Sequence, residues 1–293
     1  MNEFIFIKDY RNDEILRTSF NELSNLVFEI DFEGWFQNGF WNNLYIPYSF
    51  IERSKVVANV SVNILDLVIN GEIKKAIQIG TVMTHPDYRK KGLSSLLLKK
   101  VLNDYGDEYE FIYLFANQTV LDFYPKFGFE SVDQYQCSMD FLPSQSESPN
   151  VRKLDSNNKK DLDLIYKFAS ERSPVSKLFG TKNTHGILLF YCMHVYHNDL
   201  YYLDDMDVIV IYKKNDSQID IFDIISKQEV NFDKILSKIT DHETNNIVFH
   251  YTPDYKGINT KSSLINGSDT LFLKTISKNE FPFQSRHPLI AQA

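Results

Sequence analysis

Gly80-Thr81-Val82-Met83-Thr84-His85-Pro86-Asp87-Tyr88-Arg89-Lys90-Lys91-Gly92-Leu93-Ser94-Ser95-Leu96 is the stretch on which the reading of this chain turns. A β-prone run enters a short loop that holds Pro86, three consecutive basic residues and one glycine. The loop opens into a segment with helical apolar spacing and small hydroxyl residues at its start. The first turn of a helix carries four N–H groups without internal partners. The macrodipole adds positive potential there, worth about 0.3–1 kcal/mol per interacting charge. A pyrophosphate suits such a seat, and Gly92 lets the backbone come close to it. Arg89, Lys90 and Lys91 concentrate positive charge in a chain whose net charge is −8. Neither the Walker phosphate loop nor the three-glycine dinucleotide fingerprint is present.

Working outward, residues 4–7 read as a strand and residues 12–30 as a helix. The helix has Ile15, Leu16, Phe20, Leu23, Val27 and Ile30 at helical spacing, with Asn12 or Asp13 as its start signal. Trp35, Phe36, Phe40 and Trp41 form an aromatic loop or short helix, which lines a pocket or packs the core. Strands follow at 48–52, 56–69 and 75–84, and Asn70-Gly71 between the last two is a hairpin signal. After the basic loop come a helix at 92–105, a buried strand at 111–116, a short helix at 120–127 and a final strand at 135–141. This order predicts an α+β fold: a mixed, mostly antiparallel sheet with helices on both faces.

The polar, Pro- and Ser-rich run 143–150 reads as a linker between a first domain, 1–142, and a second, 151–293. The second half shows a weaker version of the same order. Strands are expected at 151–154, 201–204, 208–212, 219–224, 247–251 and 270–274, with helices at 160–170 and 231–240. A diverged internal duplication is the expectation. A length of 293 residues also suits two domains.

The negative charge argues against nucleic-acid binding, which calls for a basic face. Cys137 and Cys192, the only cysteines, lie in apolar contexts and read as free thiols, which fits a reducing compartment. Residues 1–7 lack a basic region followed by a long apolar core, so no signal peptide is expected. No apolar run approaches the 18 or more residues of a membrane span. These features together predict a cytoplasmic protein.

The run Arg89-Lys90-Lys91-Gly92-Leu93-Ser94 resembles the Arg/Gln-x-x-Gly-x-Gly/Ala signature of the GNAT superfamily of N-acetyltransferases, with Ser94 in place of the last small residue. A second stretch, Asn117-Gln118-Thr119-Val120-Leu121-Asp122-Phe123-Tyr124-Pro125-Lys126-Phe127-Gly128-Phe129-Glu130, is similar to the family's Asn…Phe-Tyr-x-Lys-x-Gly-Phe segment and follows in the family's order. The resemblance covers residues 4–141. The second half resembles the family in element order only, and its counterpart of the phosphate loop, Ile224-Ile225-Ser226-Lys227-Gln228-Glu229-Val230-Asn231, has no glycine.

The resemblance implies acetyl-coenzyme A as co-substrate and acetyl transfer to an amine, on a small molecule or a peptide, by direct attack. Carried over residue by residue, it implies that Val82, Met83 and Thr84 pair with the pantetheine arm. The pyrophosphate would rest on the amides of Arg89, Lys90, Lys91, Gly92, Leu93, Ser94 and Ser95. Asn117 would contact the cofactor, and Tyr124 would place its hydroxyl near the thioester sulfur as the catalytic acid. No metal and no membrane partner is implied, and association as a homodimer is left open. The rival reading is a non-catalytic module that senses acetyl-CoA, which would not need Tyr124.

A phenol with pKa about 10 is a weaker acid than a thiol near 8.5, so full transfer costs about 2 kcal/mol. Tyr124 therefore reads as a hydrogen-bond donor to the departing thiolate. The acceptor must be neutral to attack, whereas an alkylammonium is neutral to about one part in 2500 at pH 7. Some family members carry a Glu on the strand before the loop; here Gln78 stands in that stretch and cannot ionise. Asp31, Glu33 and an Ala293 carboxylate are the remaining candidates for a base. His85 reads as a loop residue, and Asp204, Asp205 and Asp207 as a solvated turn. His194 and His197 lack the further ligands a metal site needs. Residues 285–288 read as a coil that docks on the body.

Overall fold

The computed structural model describes residues 4–106, 108–142, 151–275 and 281–293. Strand β1 (Ile5–Lys8) leads into helix α1 (Glu14–Phe28) and the single-turn α2 (Glu33–Gln37). The strands β2 (Tyr45–Glu52), β3 (Lys55–Ile69) and β4 (Glu72–Thr84) form an antiparallel meander. Helix α3 (Leu93–Tyr105), β5 (Phe111–Asn117), β6 (Glu130–Val132) and β7 (Tyr135–Asp140) follow. The second half runs β8 (Val151–Lys153), α4 (Lys159–Glu171), β9 (Phe179–Lys182), α5 (His185–His194), β10 (Leu200–Leu203), β11 (Val208–Asn215), β12 (Gln218–Ile225), α6 (Phe232–Ile239), β13 (Asn246–Phe249), β14 (Lys261–Leu264) and β15 (Asp269–Thr275). No helix among the described residues is long and apolar enough to cross a membrane.

Local chemistry explains the principal boundaries. Asp13 caps α1 by accepting from the Leu16 amide at 3.1 Å, which satisfies one orphan donor of the first turn. Leu16, Phe20 and Leu23 face inward from this helix. At the β3–β4 hairpin, Asn70 and Gly71 both take positive φ, 50° and 82°, as the tight turn that matches strand twist requires.

The strands form two mixed, mostly antiparallel sheets. One has the order β1-β2-β3-β4-β5-β15-β6, and the other β8-β10-β11-β12-β13-β7-β14. Each contains one parallel pair at the same place in the order, β4–β5 and β12–β13. Each sheet takes an inserted strand from the opposite half of the chain. β15 lies between β5 and β6, and β7 lies between β13 and β14. The expected final strand of the first half thus exists but belongs to the other sheet. Alternating apolar residues specify a strand and its buried face; they do not specify its neighbour. The expected linker, 143–150, lies outside the described residues.

Two further expectations are corrected. Residues 120–127 do not form an α-helix: turns lead into a 3-10 turn, Tyr124–Phe127. Pro125 supplies no amide proton for an α-helical bond to the residue four before it. Helix α5 and strand β9 occupy a stretch for which the sequence pattern gives no element. The α5 segment, His-Gly-Ile-Leu-Leu-Phe-Tyr-Cys-Met-His, lacks a polar face to give it helical periodicity. Strand β9 extends the first sheet by pairing with the end of β3, beyond the reach of β2.

One core cluster joins the halves: Phe20, Phe32, Trp35 and Trp41 pack with Leu188, Leu189, Cys192 and Phe222. The Trp35 indole donates to the Gly186 carbonyl at 2.8 Å. A β-carbon on Gly186 would stand 3.0 Å from the Phe40 carbonyl oxygen, so the absent side chain lets α5 press onto the α2 region. Trp35, Phe40 and Trp41 are buried, while Phe36 lies under the Arg17 guanidinium at 3.9 Å.

The expected coil at 285–288 does dock on the body. His287 is fully buried beside the Tyr113, Phe115 and Phe179 rings. Its Nε2 lies 2.9 Å from the Tyr113 hydroxyl and its Nδ1 3.0 Å from the Pro288 carbonyl. Burial lowers its pKa to about 3. Since the unfolded chain takes up this proton near pH 6.5 and the folded one near 3, stability present above 6.5 is lost as the pH falls through that window. Between pH 7 and 5 the protein should lose about 2 kcal/mol more than its His287→Gln variant. Denaturant titrations at the two pH values check this, and equal losses would contradict it.

Candidate active site

The parallel pair β4–β5 is joined only from Ala76↔Phe111 to Ile79↔Leu114. Beyond that register the strands diverge. On its outer side β4 stays bound to β3, through a bulge that places Ser61 opposite Gly80 and Asn59 opposite Met83. Thr81 sits in this bulge with φ 47°, an unusual conformation for a β-branched residue. Surrounding bonds hold it there: its carbonyl accepts from Asn59 Nδ2 at 2.8 Å, and its hydroxyl lies 2.9 Å from that of Tyr45. On the other side, β5 stays paired to β15 as far as Asn117↔Asp269. The segment of β4 beyond Ile79 therefore turns one backbone edge toward a gap.

That gap opens into a cavity of about 870 Å³. Its walls are β4 from Ile79 to Thr84, the end of β5, the turn before Tyr124, the end of α1, and the α5 side chains Ile187, Phe190 and Tyr191. Arg89 and Ser94 lie on the lining at the start of α3. Gly92 caps α3 with φ 76°, in the left-handed region. A β-carbon there would touch no protein atom, so backbone conformation, rather than crowding within the protein, calls for glycine. The Thr84 and Ser94 hydroxyls lie 2.7 Å apart and tie the strand end to the helix start. Arg89 Nε donates to the Thr84 carbonyl at 3.3 Å.

Of the residues expected to hold the cofactor, Val82, Met83, Thr84, Arg89, Ser94, Asn117 and Tyr124 line the cavity. Lys90, Lys91, Gly92, Leu93 and Ser95 do not. Leu93 is a core residue packed under α3, and the Lys91 ammonium lies over the Tyr88 ring at 4.6 Å. The Asn117 carboxamide oxygen accepts from the Thr119 amide at 3.0 Å and so shapes the turn after β5.

Tyr124 is buried against Phe123, Phe129 and Phe272, the last contributed by β15. Among the described residues its hydroxyl has no hydrogen-bond partner, and burial pushes its pKa up to about 12. It is thus a protonated, uncommitted donor at neutral pH.

The candidate bases separate. Glu33 is committed to Arg17, whose Nε donates to it at 2.9 Å, with Asn21 and Gln37 as further donors. Arg17 in particular holds its pKa below the usual value. Neither Glu33 nor Asp31 lines the cavity, whereas Ala293 does. Gln78 has a role the sequence did not suggest. It is buried and holds the 291–293 segment: its Nε2 donates to the Ala291 carbonyl and the Tyr113 hydroxyl, each at 2.9 Å, and its Oε1 accepts from the Ala293 amide. A β-carbon on Gly80 would lie 2.9 Å from the Ala293 carbonyl carbon. Gly80 and Gln78 together thus seat this segment in the cavity wall. Asp269, from the exchanged strand, also lines the cavity; nothing in the motif region pointed to it.

His194 is exposed at the end of α5, its ring 4.5 Å from that of Phe190, and partial desolvation lowers its pKa. Asp204, Asp205 and Asp207 lie in the turn between β10 and β11. His85 sits at the loop entry, where its Nδ1 accepts from the Asp87 amide at 3.3 Å.

Residues 11–132 match the family model of the acetyltransferase (GNAT) domain. No curated protein sequence matches the chain. Among solved structures, a probable N-acyltransferase from Enterococcus faecalis V583 is similar at 14% identity and TM-score 0.61, over 94% of this chain and 73% of its own. A GCN5-related N-acetyltransferase from Kribbella flavida has 14% identity and TM-score 0.56, over 94% and 71%. Eis1 from Mycobacterium abscessus has 13% identity and TM-score 0.56, over 93% and 73%. At such identities the likeness is one of fold. The matched residues 11–132 hold both motifs, one on each side of the strand gap, and mark this part of the chain as a GNAT acetyltransferase domain.

Proposed function

We propose that the protein transfers an acetyl group from acetyl-CoA to an amine by direct attack of the amine nitrogen on the thioester carbonyl. The observation that carries this reading is the junction of the β4–β5 gap with the start of α3. A backbone edge without a strand partner suits a ligand bearing amide groups, since such groups seek the pairing that a sheet would supply. The pantetheine arm is such a ligand, and Val82, Met83 and Thr84 would receive it. The start of α3, with Gly92 in the left-handed region and Arg89 beside it, would take the pyrophosphate on its free amides. Asn117 stands across the gap. When bound, acetyl-CoA supplies the activated acyl group; the chain supplies orientation and charge stabilisation.

Tyr124 would serve the leaving sulfur. The nitrogen–carbon bond forms, the carbon–sulfur bond breaks, and the amine's proton goes to solvent. With a phenol near 12 and an ordinary thiol near 8.5, proton transfer from Tyr124 would cost about 5 kcal/mol. Donation of a hydrogen bond to the thiolate does not incur that cost.

We read residues 1–142 as the catalytic unit and 151–293 as a second copy that has lost the phosphate seat. The matching strand orders support this reading, as does the glycine-free segment Ser226–Asn231 before α6. The second copy would supply the wall facing the acceptor. The unpaired thiols of Cys137 and Cys192 favour a cytoplasmic setting.

Tyr124→Phe should lower kcat by about 100-fold while leaving the acetyl-CoA dissociation constant within about three-fold. Stopped assays of thiol release, with calorimetry for binding, check this. Unchanged turnover would exclude the role and leave a sensor as the better reading. Gly92→Glu places a carboxylate where the pyrophosphate would sit and should weaken acetyl-CoA binding by more than about 100-fold. Circular dichroism monitors its folding, and calorimetric affinity equal to the wild type would place the phosphates elsewhere.

A further inference from the structure

The exchanged strand brings a charge to the cavity. Asp269 is the first residue of β15 and stands opposite Asn117 in the register. Among the described lining residues it is the one acidic side chain, and Arg89 is the one basic side chain. The Ser268 hydroxyl donates to Asp269 Oδ2 at 3.0 Å and steadies the carboxylate. Tyr191 of α5 feels this carboxylate: burial raises the phenol's pKa to about 12, and Asp269 adds to the effect. Asp269 and Tyr191 both line the cavity. The α5 wall and its surroundings are largely aromatic, with Phe32, Trp35, Phe115, Phe190 and Tyr191 on the lining.

We propose that the acceptor is a primary amine on an apolar body of aromatic size, and that Asp269 selects it by binding its ammonium. This rests on the acetyl-CoA reading above. The chemistry narrows the choice. Arg89 would belong to the phosphate seat, which leaves Asp269 as the acidic side chain among the described lining residues that can meet an acceptor. A single acidic side chain matches a single ammonium. Any ammonium of a polyamine carried past Asp269 into the cavity would meet no acidic side chain, and a buried unpaired cation is costly. A polyhydroxylated amine would exchange the hydration of its hydroxyls for aromatic walls, which return few hydrogen bonds. An apolar ring instead gains by burial, and an ammonium near aromatic faces gains further.

Asp269 acts on the acceptor before its proton leaves, so it is a specificity residue rather than a catalytic one. Its removal should raise KM for protonated acceptors and leave kcat at saturation little changed. Asp269 is exposed at the cavity rim, so its replacement should not disturb the fold.

The test uses the full chain, acetyl-CoA and four acceptors: 2-phenylethylamine, spermidine, kanamycin, and aniline, which is uncharged at pH 7. The kcat/KM for 2-phenylethylamine should exceed those for spermidine and kanamycin by at least about ten-fold. Asp269→Asn should raise KM for 2-phenylethylamine about ten-fold or more, with kcat within about three-fold and KM for aniline unchanged. Calorimetry with acetyl-CoA alone separates the two levels. Absence of acetyl-CoA binding by the wild type would overturn the donor reading and the acceptor assignment with it. Binding of acetyl-CoA combined with a preference for spermidine or kanamycin, or with an unchanged KM in Asp269→Asn, would overturn the acceptor assignment alone. Equal rises in KM for aniline and 2-phenylethylamine would also overturn it, since they would mark a steric effect.

Discussion

Two adjacent parallel strands stop bonding to each other after Ile79 and Leu114, and each is held away by its outer neighbour. β4 is fixed to β3 by the bulge at Thr81, whose left-handed backbone is secured by Tyr45 and Asn59. β5 is fixed to β15 as far as Asn117. Neither strand can close the gap without giving up ladder bonds on its other side, so the opening is part of the folded ground state. Local strain of this kind persists where the surroundings over-determine it. Tyr45 belongs to the aromatic cluster around Phe32, Trp35 and Trp41. The gap therefore depends on the core behind it as well as on the sheet.

The strand exchange makes the two halves structurally inseparable. Removal of β15 would take Phe272 from beneath Tyr124 and Asp269 from the cavity rim. Removal of β7 would open the second sheet between β13 and β14. The closing segment adds a third link. The Leu289 amide donates to the His250 carbonyl beside the second sheet at 3.0 Å, while Ala291 and Ala293 are held by Gln78 of the first. Val82, Met83, Thr84 and Tyr124 of the cavity lining come from the first half, and Ile187, Phe190, Tyr191 and Asp269 from the second.

Much of the first half is legible in the sequence. The Asp13 cap, the Asn70-Gly71 hairpin and the Arg89–Ser94 loop are local signals, each tied to backbone groups within a few residues. Partnerships across more than a hundred residues were not legible. The alternation in β7 and β15 marks both as strands and leaves the choice of sheet undetermined. Helix α5 lacked a polar face because it is buried between the halves. Gln78 reads in the sequence as a missing base, and only its contacts with residues 291–293 give it a positive role. Glu33 reads as a free carboxylate, and Arg17, sixteen residues away, claims it. Asp269 lies in a short strand with no motif around it, and register alone brings it beside Asn117.

The claim on which the rest depends is that the gap edge and the start of α3 together receive acetyl-CoA. Amide hydrogen exchange with and without saturating acetyl-CoA tests it directly. The account predicts slowed exchange at Val82, Met83 and Thr84 and at residues 92–95. Binding that leaves both segments unprotected, or that protects another part of the chain instead, would contradict it.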